Sequence, residues 1–255
     1  MLADSHCHIL DGKLRDRAEE IVGALGNEGL EFIVEISADP DEAREAVSFA
    51  YANEKVYCTI GVHPCYAQQY SDDFEQWALK QKSKKIVAVG ECGLDYYHKD
   101  CPVDIQKAAF VRQIVLADRL GLPLVVHTRD AFDDTYEILK ANKRYLNNGV
   151  LIHCFSGDAG QAKMFAEFDV YYAFGGAVTY KNNKIADGAI RAVPRNRILL
   201  ETDCPYLSPE PIRGKVNEPK NVKIVGQHIA YVLDLTAGEV AKITLENTKR
   251  FYRIK

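Results

Sequence analysis

No run in this chain approaches the roughly 18 apolar residues a membrane-spanning helix requires, so bilayer insertion is not expected. Paired CxxC cysteines are also missing. The seven cysteines are odd in number and scattered, which argues for reduced thiols rather than a disulfide framework. No internal repeat, low-complexity tract or Pro/Gly/Ser linker interrupts the chain, and residues 1–255 read as one domain. Basic excess is absent too: 32 Lys and Arg against 36 Asp and Glu give a net charge of -4. That argues against a broad duplex-binding surface, which is usually basic. Nucleic acid remains open as a substrate, because gripping one or two phosphates takes only local cations, and bound divalent metals supply most of that charge. Asp4, His6 and His8 fall where a signal peptide would carry its apolar region, so no such peptide is expected. A cytoplasmic monomer is the expectation.

What the chain does contain is a rhythm. Eight short apolar or β-branched runs lie at 2–6, 32–37, 56–62, 86–91, 123–127, 149–153, 169–174 and 197–202. Helical patterns separate them, as in strand-helix units that build a parallel sheet. Pro123-Leu124-Val125-Val126 and Val150-Leu151-Ile152 are continuously apolar, as strands covered on both faces are. Asp39-Pro40-Asp41-Glu42 reads as a helix start, with proline at the first helical position and acids in the first turn. Residues 103–120 carry apolar side chains at helical spacing and stop at Gly121. Thr236-Ala237-Gly238-Glu239 matches a capping box ahead of a C-terminal helix. The pattern predicts an α/β fold: a single (β/α)8 barrel of the TIM type with one additional C-terminal helix.

Polar residues able to bind metal end these runs. His6 and His8 close the first, Glu91 the fourth, His127 the fifth, His153 the sixth and Asp203 the eighth. Alternation along a strand puts His6 and His8 on one side and Cys7 on the other. Five of the seven histidines end predicted strands, and His98 and His228 fall in a loop and a helix. A carboxylate between two histidine sets can bridge two ions, one oxygen to each, so Glu91 is the expected bridge and the site points to a metal-dependent hydrolase. A mixed nitrogen and oxygen set without thiolate permits Zn, Mn, Co, Fe or Mg. Glu201 shares the facing of Asp203 and reads as an acid of the barrel interior or behind the ligands.

The motifs Asp4-Ser5-His6-Cys7-His8, Gly61-Val62-His63-Pro64, Gly90-Glu91-Cys92-Gly93-Leu94-Asp95-Tyr96-Tyr97, His127-Thr128-Arg129-Asp130-Ala131, His153-Cys154-Phe155-Ser156-Gly157 and Glu201-Thr202-Asp203-Cys204-Pro205-Tyr206-Leu207 resemble those of the TatD family. The resemblance runs from residue 3 to about 220. It implies a TIM-barrel, metal-dependent deoxyribonuclease. It further implies one metal held by His6, His8, Glu91 and Asp203, and a second held by Glu91, His127 and His153. There are two departures: Val216 follows Lys215 where the family often has arginine, and His98 replaces a frequent arginine.

The expected reaction is phosphodiester hydrolysis of DNA, at strand ends or on short single strands, by a metal-activated hydroxide. Asp203 is the expected general base and Glu91 the bridging catalytic carboxylate. His63, Arg129, Arg213 and Lys215 are the expected substrate contacts. The alternative is an amidohydrolase-type barrel cleaving a small amide, ester or lactone. Such enzymes usually bridge their metals with a carboxylated lysine on the fourth strand, where this chain has Glu91.

Overall fold

The computed structural model describes residues 1–81 and 83–255. Its strands are β1 (Leu2–Cys7), β2 (Leu30–Glu35), β3 (Val56–Ile60), β4 (Ile86–Asp95), β5 (Leu124–Arg129), β6 (Val150–Ile152), β7 (Val170–Phe174) and β8 (Ile198–Leu200). They form one sheet in chain order, every paired neighbour parallel. The helices are α1 (Ala18–Ala24), α2 (Pro40–Ala52), α3 (Asp72–Lys80), α4 (Val103–Leu120), α5 (Phe132–Ala141), α6 (Ala159–Phe165), α7 (Ala186–Ala192), α8 (Val222–Leu233) and α9 (Ala237–Tyr252). This is the expected (β/α)8 barrel, with α9 as the additional C-terminal helix. None of the described helices is long and apolar enough to cross a membrane.

Successive residues of the strands enter two different apolar clusters. Val126, Ile152 and Leu200 pack outward with Phe110 and Ile114 of α4 and Ile229 of α8. Their predecessors Val125, Leu151 and Leu199 fill the interior with Phe32, Val34 and Tyr171. Period-two alternation then points His127, His153, Glu201 and Asp203 inward above that apolar plug. Phe251 and Tyr252 at the end of α9 join the same inner cluster, and the Tyr252 hydroxyl donates to Ser5 O at 2.8 Å. The barrel is therefore stoppered by apolar side chains, leaving the C-terminal ends of the strands for polar ones.

Closure between β8 and β1 occurs past the end of β8. Asp203 N–H donates to His6 O at 3.0 Å and His8 N–H to Cys204 O at 2.8 Å. Asp4, fully buried, accepts from the Thr202 backbone at 2.9 Å and from its hydroxyl at 2.5 Å. The local signals behave as expected. Asp39 accepts from Asp41 N and Glu42 N ahead of Pro40, Gly121 ends α4 at φ 66°, and Thr236 and Glu239 form the capping box. Strand bounds differ from expectation in several places: β4 runs on to Asp95, so Glu91 lies within it rather than at its end, and β3 stops at Ile60 and β6 at Ile152. β2 starts at Leu30 rather than residue 32, and β8 stops at Leu200, so Glu201 and Asp203 stand in the loop beyond it.

Candidate metal centre

Six polar side chains from five strand ends meet at the mouth of the barrel. His6 and His8 come from β1, Glu91 from β4, His127 from β5, His153 from just beyond β6 and Asp203 from beyond β8. Glu91 reaches the centre because β3 and β4 approach closely: a Cβ on Gly61 would lie 2.5 Å from the Gly90 carbonyl carbon. Asp203 and Cys154 take left-handed backbone, at φ 56° and 44°, a conformation rare outside glycine and common where strain serves a site.

The donor atoms fall into two groups, divided by the two oxygens of Glu91. Glu91 Oε2 lies 3.3 Å from His6 Nε2 and 3.8 Å from His8 Nε2. Asp203 Oδ1 lies 3.6 Å and 3.5 Å from the same nitrogens, which are 3.3 Å apart. Four donors about 2.1 Å from a tetrahedral ion stand about 3.4 Å from one another, so this group has the dimensions of an ion's coordination shell. Glu91 Oε1 faces the other way, 2.9 Å from His127 Nδ1 and 2.7 Å from His153 Nε2. Those two nitrogens are 3.2 Å apart. The residues present thus fit two divalent ions sharing one carboxylate. The donor set, nitrogen and oxygen only, would hold them.

Charge is arranged to suit cations. Burial by itself would raise the Glu91 carboxyl, but His153, His6, His63 and the His127 hydrogen bond hold it well below the usual range. Asp203 is pulled down in the same way, against its burial, by His8, His6 and His153. Burial would lower His8, yet Asp203 and Glu91 raise it to about 9. His63 goes the other way, to about 3, through burial and the neighbouring His127. Orienting partners complete the set: His8 Nδ1 lies 3.1 Å from Ile36 O, and His127 Nε2 lies 3.0 Å from Asp95 Oδ2.

Of the expected substrate contacts, the structure brings two to the site. His63 places Nε2 3.7 Å from Glu91 Oε1 and accepts on Nδ1 from Cys65 N. Arg129 lines the same cavity of about 510 Å³ and stacks over Tyr97 at 4.0 Å. Arg213 and Lys215 lie outside that lining. Arg213 rests on the Tyr180 ring at 4.2 Å, and the Lys215 carbonyl accepts from Ser208, leaving its side chain exposed. Asp95 joins the site through its bond to His127, and its place on β4 is a signal the sequence carries. It follows Glu91 by four positions on β4, hence on the same face, and it also meets His98 Nδ1 at 2.9 Å and accepts from Tyr97 N and His98 N. Glu35, buried against Ile9 N and Leu10 N, had no comparable signal, because its partners lie 26 and 25 residues away.

A family model described as TatD related DNase matches residues 3–253. The chain belongs to the TatD family. Among its TatD-like relatives is YabD of Bacillus subtilis, described as an uncharacterized metal-dependent hydrolase, 39% identical over 100% of this chain and 100% of that protein. YcfH of Escherichia coli carries the same description and is 34% identical over 99% and 96%. The crystal structure of YjjV, a TatD homolog from Escherichia coli K12, superposes with a TM-score of 0.93 at 27% identity, covering 100% of this chain and 98% of that one. Membership of the TatD family makes this protein a metal-dependent hydrolase. Organophosphorus hydrolase variants share the barrel alone, at a TM-score of 0.64 and 14% identity.

Proposed function

We propose that the protein is a deoxyribonuclease that cleaves phosphodiester bonds at strand ends or in short single strands, all 255 residues acting as one hydrolase unit. The observation that carries this reading is the divided Glu91 carboxylate, one oxygen facing His6 and His8 and the other His127 and His153. His6, His8, Glu91 and Asp203 would hold one divalent ion, and Glu91, His127 and His153 the other. Such ions, when bound, lower the pKa of a water and offset charge on a phosphoryl oxygen.

The chain's own residues do the rest. Asp203, held ionised and at the rim of the centre, takes the proton from the attacking water. His63, held neutral by burial beside His127, presents Nε2 toward the same space and orients the phosphate or leaving oxygen. Arg129 offers its guanidinium to a neighbouring phosphate, with its plane preset by Tyr97. The cavity of about 510 Å³ over the centre has room for a nucleotide-sized group, which suits an end or an unpaired strand.

The test is hydrolysis of single-stranded DNA labelled at its 3′ or 5′ end, across Mg, Mn, Co and Zn, with Glu91→Ala as the blank. Metal-dependent release of labelled product that disappears in Glu91→Ala supports the reading. Hydrolysis of neutral lactones or amides with no cleavage of DNA would replace it.

A further inference from the structure

An imidazole that gives one nitrogen to a metal must place the proton of its other nitrogen somewhere. His8 has Ile36 O for that purpose and His127 has Asp95. His6 and His153 have no such partner: Nδ1 of each is buried and unbonded. Both rings have the same buried carboxylate as a neighbour. Donor atoms of His6, His153 and Glu201 lie within 4.8 Å of one another, with His153 Nδ1 3.7 Å from Glu201 Oε1. The two rings stack at 3.9 Å with 9° between their planes, so one carboxylate lies beside both. Glu201 is itself fully buried, and its Oε2 also lacks a partner. Three unsatisfied polar groups in one buried place are costly unless they serve one another.

We infer that Glu201 is a positioning residue shared by two of the metal-facing imidazoles, its carboxylate taking the Nδ1 proton of His153 on one oxygen and that of His6 on the other. Each Nε2 lone pair is thereby turned toward the ion its ring faces. A cation at Nε2 makes the Nδ1 proton a stronger donor, and Glu201 is the acceptor both rings can reach. The single carboxylate therefore ties the two halves of the centre together from behind, as Glu91 does from the front. The inference rests on the proposed two-ion centre and not on which ester the enzyme cleaves.

Glu201 has a competing structural role, because Oε1 accepts from Cys154 N at 2.6 Å and so steadies a left-handed turn. Glu201→Gln separates the two roles: its amide oxygen still accepts from Cys154, while its NH2 group cannot accept a second proton. Zinc affinity of the full chain is measured by chelator competition, beside the thermal midpoint of the metal-stripped protein, with no substrate present. The expected result is a zinc affinity weakened about 10–100-fold, with the metal-stripped midpoint unchanged, since the amide oxygen keeps the Cys154 bond and the NH2 group can donate to Nδ1 of a metal-free His6. Affinity within about twofold of the parent overturns the inference, as does a loss matched by a lower midpoint of the stripped protein. A second measurement needs no variant. Nitrogen-15 correlation spectra of the zinc-loaded parent should show the proton on Nδ1 in both His6 and His153, and a proton on Nε2 of either ring overturns the assignment. Because none of this uses DNA, failure of the nuclease reading and failure of this inference are separate outcomes.

Discussion

At Asp203, ligation and proton transfer fall on one carboxylate. Its Oδ1 faces His6 and His8, and the residue is kept ionised against its burial. Asparagine preserves an oxygen donor and removes basicity. For Asp203→Asn we expect kcat to fall about 10²–10⁴-fold, the usual worth of a general base, with metal content by elemental analysis nearly unchanged. Rate and metal content falling in step would make Asp203 a ligand only. His8 sets a pH dependence. Its folded pKa of about 9 lies above the ordinary histidine value of 6.5, so its contribution to metal-free stability is complete below 6.5 and is lost as pH rises through 9. Metal binding needs the neutral ring and expels that proton. Between these pH values the melting point of the metal-stripped protein should fall while zinc affinity rises. Calorimetry in two buffers of different ionisation enthalpy should find about one proton released from this group.

Among the elements, α9 supplies part of the apolar plug below the site. Phe251 and Tyr252 pack with Tyr171, Val125 and Leu199 in the inner cluster, beneath the polar layer. Phe251→Ala should cost about 3–5 kcal/mol, the range for deleting a buried aromatic. The melting point should drop by several degrees while kcat and KM at a permissive temperature stay near the parent values. A kcat loss without a stability loss would show that the plug also sets ligand geometry. The strands behave differently. Gly61 and Gly90 leave no room for a side chain, because the chain beyond β3 comes close to Gly90 and Gly90 in turn lies against Val125 of β5, beside Glu91.

For the whole molecule, a net charge of -4 has to be reconciled with a polyanionic substrate. Arg129 is at the cavity, and Arg213 stands outside its lining on Tyr180. Binding through so few cations should give a shallow salt dependence, about two or three released ions. Arg213→Ala should raise KM for DNA several-fold and leave a small chromogenic phosphodiester almost unaffected, since only the longer substrate reaches Tyr180. Equal loss on both substrates would place Arg213 at the scissile group.

The chain's local order was written in neighbouring residues. α4 spans 103–120 as its spacing and Gly121 dictate, α2 begins at Pro40 behind Asp39, and Thr236 caps α9. Helix periods and caps depend on contacts three or four residues apart, so sequence reveals them. The strand rhythm likewise revealed the eight-unit barrel, and alternation gave the common facing of His6 and His8. Other features needed the closed barrel. Asp4 meets Thr202 across 198 positions, and His153 meets Glu91 from strands that are not neighbours. The division of Glu91 between two histidine groups, the Asp95 bond to His127 and the exclusion of Arg213 from the cavity are all of this kind. Sequence determined where each strand lies and which way its polar residues face. Only the barrel's closure, through hydrogen bonds between β1 and the segment after β8, decided the distances between them, because periodicity fixes the direction of a side chain and not its neighbour across a ring.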